Sequence, residues 1–359
     1  MRLTRVVCRN FRSLAAVDFA PVPGVNVVCG RNAQGKTSLL EAVVYAATTR
    51  SHRTQTDTEL ARHGEEEFHV RLEAGAETAA APVVVEANWW RGAKRFKVNG
   101  IPQGRLSDLL GRVKVVLFCP DDLALVKGAA SVRRKLLDME LSQLSPPYLL
   151  ALQQYRQALR QRNELLRRGE PEGALLDVWD VQLITHGRAL MEARAAYIAE
   201  LSELAAEMYR RIAEAEPLAV AYLPDVRTPD ELAQTLARGR ASDVRQRLTG
   251  RGPHRDDLEL LVAGRPARTY GSQGQQRSAV LALKLAEVEL VRRRAGTLPT
   301  LMLDEVLAEL DADRARSLFA AIPEGTQSLV TTTQTAEPLR GMGVDFAVFR
   351  MEGGCLGQE

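Results

Sequence analysis

Cysteine is scarce in this chain of 359 residues, and the four present, Cys8, Cys29, Cys119 and Cys355, form no CxxC pair. That leaves no disulfide framework to read and fits a reducing cytoplasm. Five scattered histidines add no metal-like spacing, so no zinc site is legible. No apolar run approaches the ~18 residues of a membrane-spanning helix. The opening stretch MRLTRVVCRNFRSL is broken by charge, unlike a signal peptide. Net charge is nearly absent too: 48 basic against 45 acidic residues leave +3. This excludes a polycationic binder while permitting a local basic face. Lysine is rare, with seven among the 48 basic residues. The arginine fork suits phosphate contacts, although genome composition explains the bias equally well. What remains is ordinary for a globular chain: 45% hydrophobic, 26% charged, mean hydropathy −0.17. Such a length predicts about two domains of ~150 residues.

The first 120 or so residues read as mixed β and α. RLTRVVC and VNVVC are short β-branched runs. VVVEANWW and RFKVNG flank Arg91-Gly92 as a hairpin, with Asn99-Gly100 as a further turn. From Ser131 to Glu216 the pattern becomes helical. Tyr148, Leu152, Tyr155 and Leu159 share one stripe; Leu176, Trp179, Leu183, Leu190, Tyr197, Leu201, Leu204 and Met208 share another after the break at Gly169–Gly173. Two such helices with a short connection predict an antiparallel hairpin or stubby coiled coil. Beyond about residue 258, LELLVAG, TLMLDE and SLVTTT read as strands and Ser278 to Arg294 as a helix. The strand-helix-strand order predicts parallel pairing.

Three motifs carry chemistry. Gly30-Arg31-Asn32-Ala33-Gln34-Gly35-Lys36-Thr37 matches GxxxxGK[ST], with VNVVC before it as the strand and SLLEAVVYA after it as the helix. In that context glycines turn backbone N–H groups around phosphate oxygens and the helix N-terminus adds positive potential. Lys36 is expected on the β- and γ-phosphates of ATP, and the Thr37 hydroxyl on Mg2+. Leu301-Met302-Leu303-Asp304-Glu305 ends an apolar strand in two carboxylates. The first is suited to the magnesium shell and the second to orienting and deprotonating water. Between them, Tyr270-Gly271-Ser272-Gln273-Gly274-Gln275-Gln276-Arg277-Ser278 opens a helix. This is either a second anion-binding terminus or an ordinary serine N-cap. The order of the three motifs is that of ABC-type ATPases, whose LSGGQ signature closes over the nucleotide of a second subunit. Gln273 replaces the first glycine of that signature's pair, which weakens a transporter reading.

FRSL near the start, GRNAQGKTSLLEA, SHRT at 51–54, FCPDDL at 118–123, GPHRDDLEL at 252–260 and YGSQGQQRS together resemble the RecF family of DNA replication and repair proteins over the whole chain. The resemblance implies an α/β ABC-type head with a mixed sheet, related to the heads of SMC proteins. It further implies a helical lobe with a short antiparallel hairpin. An ATP-binding lobe is expected at 1–120 with 295–359, and the helical lobe at 121–294. It also implies slow ATP hydrolysis, ATP-dependent homodimerisation, DNA binding, and work with RecO and RecR in loading RecA at gaps, all in the cytoplasm. Carried over by residue, Gly30 to Thr37 bind nucleotide, Asp304 serves magnesium and Glu305 positions water. Ser272, Gly274 and Gln275 serve the γ-phosphate of the partner's ATP. Where many ABC ATPases have a histidine after the SLVTTT strand, this chain has Thr331-Thr332-Thr333-Gln334, of which a threonine or Gln334 can donate a neutral hydrogen bond. Pro120-Asp121-Asp122 occupies the place of a glutamine linker.

Weaker signals stay open at this level. Arg91, Lys94, Arg95 and Lys97 share a hairpin with Trp89, Trp90 and Phe96, a mixture suited to nucleic acid. Strand alternation equally allows Phe96 and Val98 to face the core. His254-Arg255-Asp256 either supports the signature region, contacts DNA or makes a structural turn, and Arg50 to Arg53 read as a loop near nucleotide or DNA. An SMC-type clamp with negligible hydrolysis is the alternative, but the spacer between Thr37 and Ser272 has room for only a helical stub. A transport ATPase subunit would need a membrane partner.

Overall fold

A computed structural model describes residues 1–75, 81–169, 173–213, 216–334 and 345–358. Along the chain, β1 (Arg2–Phe11), β2 (Leu14–Phe19) and β3 (Val25–Cys29) precede α1 (Lys36–Thr48). A meander follows of β4 (Glu67–Gly75), β5 (Val83–Trp90), β6 (Ala93–Val98) and β7 (Ile101–Pro102), then β8 (Val115–Phe118). The helical stretch comprises α2 (Ala124–Lys127), α3 (Ala130–Leu144), α4 (Pro146–Arg168) and α5 (Gly173–Ala213). Next come β9 (Leu218–Leu223), α6 (Leu232–Gln246), β10 (Asp257–Val262), β11 (Arg265–Pro266) and α7 (Ala267–Tyr270). The chain ends with α8 (Gln273–Ala295), β12 (Thr300–Asp304), α9 (Ala312–Ala321), β13 (Ser328–Thr332), β14 (Phe346–Glu352) and β15 (Cys355–Gln358).

Two compact units emerge. The first draws on 1–122, 210–214 and 281–359, the second on 123–209 and 215–280. The division cuts α8, whereas the sequence gives all of 121–294 to the helical lobe. The helix is buried almost continuously from Ala279 to Val291, so its later part is core material rather than a surface stripe.

In the first unit an antiparallel sheet of order β2-β1-β4-β5-β6-β7 and a mixed sheet of order β15-β14-β3-β13-β12-β8 both contact α1. That sandwich explains why nearly every residue of α1 is buried and why it lacks a polar face. β3, β12 and β13 are buried at every position, as parallel strands covered on both faces must be. β5 and β6 form the expected hairpin through Arg91 (φ 43°) and Gly92 (φ 88°). Two successive positive φ values match the twist of the paired strands. The hairpin's aromatics divide by strand alternation. Trp89 and Phe96 are buried, Trp89 stacking on Phe68 at 5.8 Å, and only Trp90 is exposed. Of the two readings open at sequence level, strand alternation holds for Phe96, and of the three aromatics only Trp90 remains with the exposed basic residues.

In the second unit α4 and α5 pack antiparallel. The OH of Tyr148 accepts from Arg194 at 3.1 Å, Tyr155 faces Gly187, and Arg162 donates to Asp180 at 2.6 Å. Partners thus descend one helix as they ascend the other. A Cβ on Gly187 would meet the Tyr155 ring at 3.2 Å and the end of the Leu232 side chain at 2.8 Å, so a side chain here would have to displace Leu232 and crowd the ring. α5 has 41 residues, about 60 Å at ~1.5 Å per residue. The GPHRDD turn is structural. Arg194 is buried and donates to Asp256 at 2.8 Å, Asp138 at 2.8 Å and the Pro253 carbonyl at 2.7 Å. His254 lies between the Tyr155 hydroxyl at 2.7 Å and the Thr249 carbonyl at 3.1 Å. A carbonyl only accepts, so Nε2–H donates to Thr249 and the neutral ring's Nδ1 accepts from Tyr155. Burial pushes the His254 pKa down to about 4.

Candidate nucleotide site

The site forms at the carboxyl ends of β3, β13 and β12, which are neighbours in that order. Ligands of open α/β sheets bind beyond those strand ends. Gly35 takes φ 111° at the N-cap of α1, a conformation that disfavours any side chain. A Cβ on Gly30 would lie 2.4 Å from the Met351 carbonyl oxygen, so that position also requires glycine. The Lys36 ammonium is buried and donates to the carbonyls of Gly30 at 2.7 Å and Arg31 at 3.0 Å. It also pairs with Glu305 Oε1 at 3.0 Å. Gln34 is held from the far end of the chain: its side-chain oxygen accepts from Gly353 N–H at 2.6 Å and its carbonyl from Gly354 N–H at 3.1 Å. The β14–β15 turn therefore buttresses the phosphate loop. Sequence reading missed this; the Gly353-Gly354 pair was its only signal.

Asp304 Oδ1 accepts from the Thr37 hydroxyl at 3.0 Å and from the Thr331 hydroxyl at 2.6 Å. Thr331 Oγ1 in turn accepts from Glu305 N–H at 3.0 Å, and Thr333 N–H donates to Glu305 Oε2 at 3.0 Å. Glu305 adopts φ 53°, a strained conformation for a non-glycine residue and one that concentrates at functional sites. β13 thus fixes both carboxylates. The Thr331 hydroxyl is committed to Asp304, which leaves Thr332, Thr333 and Gln334 as the candidates for a neutral hydrogen bond to phosphate. Thr37 and Asp304 bring a hydroxyl and a carboxylate together, both hard oxygen donors of the kind that hold Mg2+. The donor set fits that ion.

Relatives over nearly the full length show the family. The chain is 42% identical to the DNA replication and repair protein RecF of Symbiobacterium thermophilum, over 97% of this chain and 95% of that one. It is 38% identical to the DNA replication and repair protein RecF of Streptococcus pneumoniae, over 99% and 98%. The chain belongs to the RecF family. A structure described as the recombination mediator protein RecF with ATP in the RecFOR pathway matches with TM-score 0.91 at 32% identity, covering 99% of this chain and 97% of that one. A Smc head bound to the C-winged helix domain of ScpA matches with TM-score 0.61 at 15% identity, over 99% and 96%. The latter shows the fold alone, an ABC-type ATPase head. A family described as an AAA domain matches residues 5–97.

Around the RecF-family site, Glu41 organises the SHRT loop. It lies on α1 one turn beyond Thr37, is fully buried, and accepts from Arg12 at 2.8 and 3.0 Å, Ser51 at 2.5 Å and Arg53 at 3.1 Å. Burial alone would raise its pKa, but Arg12, Ser51 and Arg53 outweigh burial and hold the carboxyl below its ordinary value. Arg53 is thereby tied to α1. Burial pushes the neighbouring His52 pKa down, with Glu41 and Asp304 opposing the shift. Asp122, in the linker position, accepts from Cys119 N–H at 2.9 Å.

The signature residues lie in the second unit. Ser272 Oγ accepts from Gln275 N–H at 3.2 Å, while Ser272 N–H donates to Gln275 Oε1 at 2.7 Å. This reciprocal pair is a capping box, and it starts α8 in the way the N-cap reading expects. Gln275 Nε2 also donates to Glu216 at 2.5 Å. Ser272 remains exposed, with Gly274 and Gln275 half-buried.

Proposed function

We propose that this RecF-family protein is an ATP-driven switch of recombinational DNA repair. ATP bound at residues 30–37 joins two copies head to head on DNA, and slow hydrolysis releases them. The observation that carries the reading is the joined set of Lys36, Thr37, Asp304, Glu305 and Thr331, together with a capped, exposed Ser272. The ATP-binding lobe is assigned to 1–120 with 295–359 and the helical lobe to 121–294. Lys36 trades its contacts to the loop carbonyls and Glu305 for the β- and γ-phosphates. Thr37 and Asp304 hold Mg2+, which neutralises charge on the phosphates when bound. Glu305, released by Lys36 and oriented by Thr333 N–H, orients water and accepts its proton. Ser272, Gly274 and Gln275 meet the γ-phosphate of the opposite copy, so only an ATP-bound pair forms a complete site. The Lys36–Glu305 pair competes with the substrate and favours slow turnover, a weak ATPase stimulated by DNA. The family's RecFOR pathway supports RecO and RecR as partners, with RecA loading at gaps as the outcome and the cytoplasm as the setting. No helix among the described residues is long and apolar enough to cross a membrane. Lys36→Ala tests the foundation: ATP binding should be lost with the fold retained, and unchanged affinity in the folded variant would overturn the phosphate-loop assignment.

A further inference from the structure

The face of the antiparallel sheet turned away from α1 carries a row that the nucleotide site does not use. Register places Arg9 opposite His69, His69 opposite Asn88, and Asn88 opposite Arg95. The four residues cross β1, β4, β5 and β6 in one line, about 14 Å long at ~4.8 Å per strand. Neighbouring cations are neutralised: Arg5 by Asp18, Arg71 by Glu73 and Glu86, Arg91 by Glu66, and Lys94 by Asp57. Arg9 and Arg95, both exposed, have no carboxylate partner among the described residues. Between them His69 Nδ1 lies 2.8 Å from Asn88 Oδ1. With the ring N–H donating to that oxygen, His69 Nε2 and the Asn88 NH2 group are left for a ligand.

Beside the row is an open hollow of about 870 Å³ lined by Arg5, Arg9, His69, Arg71, Asn88 and Trp90, with Glu67 the one acidic residue at its rim. Trp90 is 55% exposed, and the Arg91 guanidinium lies 5.4 Å from its ring centre. An exposed indole two residues along β5 from Asn88, beside a row with a cation at each end, is poorly matched to duplex DNA, whose base faces are covered by their neighbours. It matches an unpaired strand, because every free base offers a face for stacking and sheet platforms bind single strands in this way.

We propose that this sheet face binds a single-stranded DNA segment, with backbone phosphates on Arg9 and Arg95 and a base stacked on Trp90. The inference rests on the DNA-binding reading above and adds the surface and the form of DNA. The test is fluorescence anisotropy of the full chain with ATP, using labelled oligo(dT) and a duplex of equal length at several salt concentrations. Trp90→Ala should weaken oligo(dT) binding roughly 5- to 150-fold, and Trp90→Phe should restore most of it. Replacing both Arg9 and Arg95 by alanine should lower the log–log salt slope by about 1.4 in magnitude, at ~0.7 per single-strand phosphate contact. Duplex affinity should change little in these variants. Wild-type binding to oligo(dT) that all variants retain would overturn the surface while leaving the DNA-binding reading intact. Equal losses for oligo(dT) and duplex would overturn the single-strand assignment. A wild-type protein that binds neither probe would overturn the DNA-binding reading, and this surface with it.

Discussion

Glu305→Gln separates the two roles of the acidic pair. In the structure Glu305 Oε1 lies 3.0 Å from the Lys36 ammonium, the two side chains being 23% and 4% exposed. ATP must take the ammonium from this carboxylate and bring its own negative charge close to it. Glutamine keeps the shape and the contact to Thr333 N–H but removes the charge. A hydrogen bond to a charged group contributes about 1.5–3 kcal/mol, and the partial exposure of Glu305 puts this pair toward the lower end. ATP should therefore bind about 1–2 kcal/mol more tightly, roughly 5- to 30-fold in Kd. ADP, lacking the γ-phosphate, should gain less. Turnover should fall ~10²–10⁴-fold, as expected when a general base is removed. Titration calorimetry with both nucleotides gives the affinities, and single-turnover hydrolysis gives the rate. Wild-type hydrolysis in the variant would refute the base assignment; weaker ATP binding would refute the competition between Glu305 and phosphate for Lys36.

Two further predictions concern the helical unit. Arg162 is fully buried and donates to Asp180 at 2.6 Å and Asp243 at 2.8 Å. Arg162→Met leaves both carboxylates without that partner and should cost about 3–5 kcal/mol, read from urea unfolding; a loss below 1 kcal/mol would contradict it. His254, with its pKa pushed down to about 4, titrates near 6.5 when unfolded. The unfolded chain therefore binds its proton first, so the stability from neutral His254 is complete above pH 6.5 and is lost as pH falls toward 4. The lost contribution is about 3 kcal/mol. The stability advantage of wild type over His254→Gln should shrink by that amount between pH 7.5 and 4; a constant difference would contradict the buried neutral ring.

Much of the nucleotide site was legible because its signals are local. Gly30 to Thr37 lie between an apolar strand and a helix, and Asp304-Glu305 close an apolar run, so short windows contain the whole pattern. The α4–α5 hairpin was legible from its stripes, and the structure buries Tyr148, Tyr155, Leu183 and Leu190 along them. What escaped depends on sheet neighbours distant in sequence. Thr331 reaches Asp304 because β13 lies between β3 and β12, and Gly353 reaches Gln34 because β14 pairs with β3. Glu41 escaped because a lone carboxylate in an apolar helix shows its purpose only when Arg12 and Arg53 converge on it. The apolar pattern of α8 starts only at Ser278, because Gln273, Gly274 and Gln275 are exposed or half-buried, and it is the serine-cap reading that marks the start at Ser272.

The central claim, a nucleotide site completed by a second copy, is tested most directly by sedimentation velocity on mixed variants with ATP. Ser272→Arg removes the hydroxyl half of the capping box, at a cost of about 1 kcal/mol, and places bulk where the partner's γ-phosphate should dock. Alone it should bind ATP as a monomer without associating. Lys36→Ala alone should neither bind ATP nor associate. Mixed, the intact phosphate loop of one variant and the intact Ser272 of the other make one complete site, so an ATP-dependent dimer should appear at one composite site per pair. Loss of ATP binding by monomeric Ser272→Arg, or a mixture that stays monomeric while wild type dimerises, would contradict a site shared between two copies.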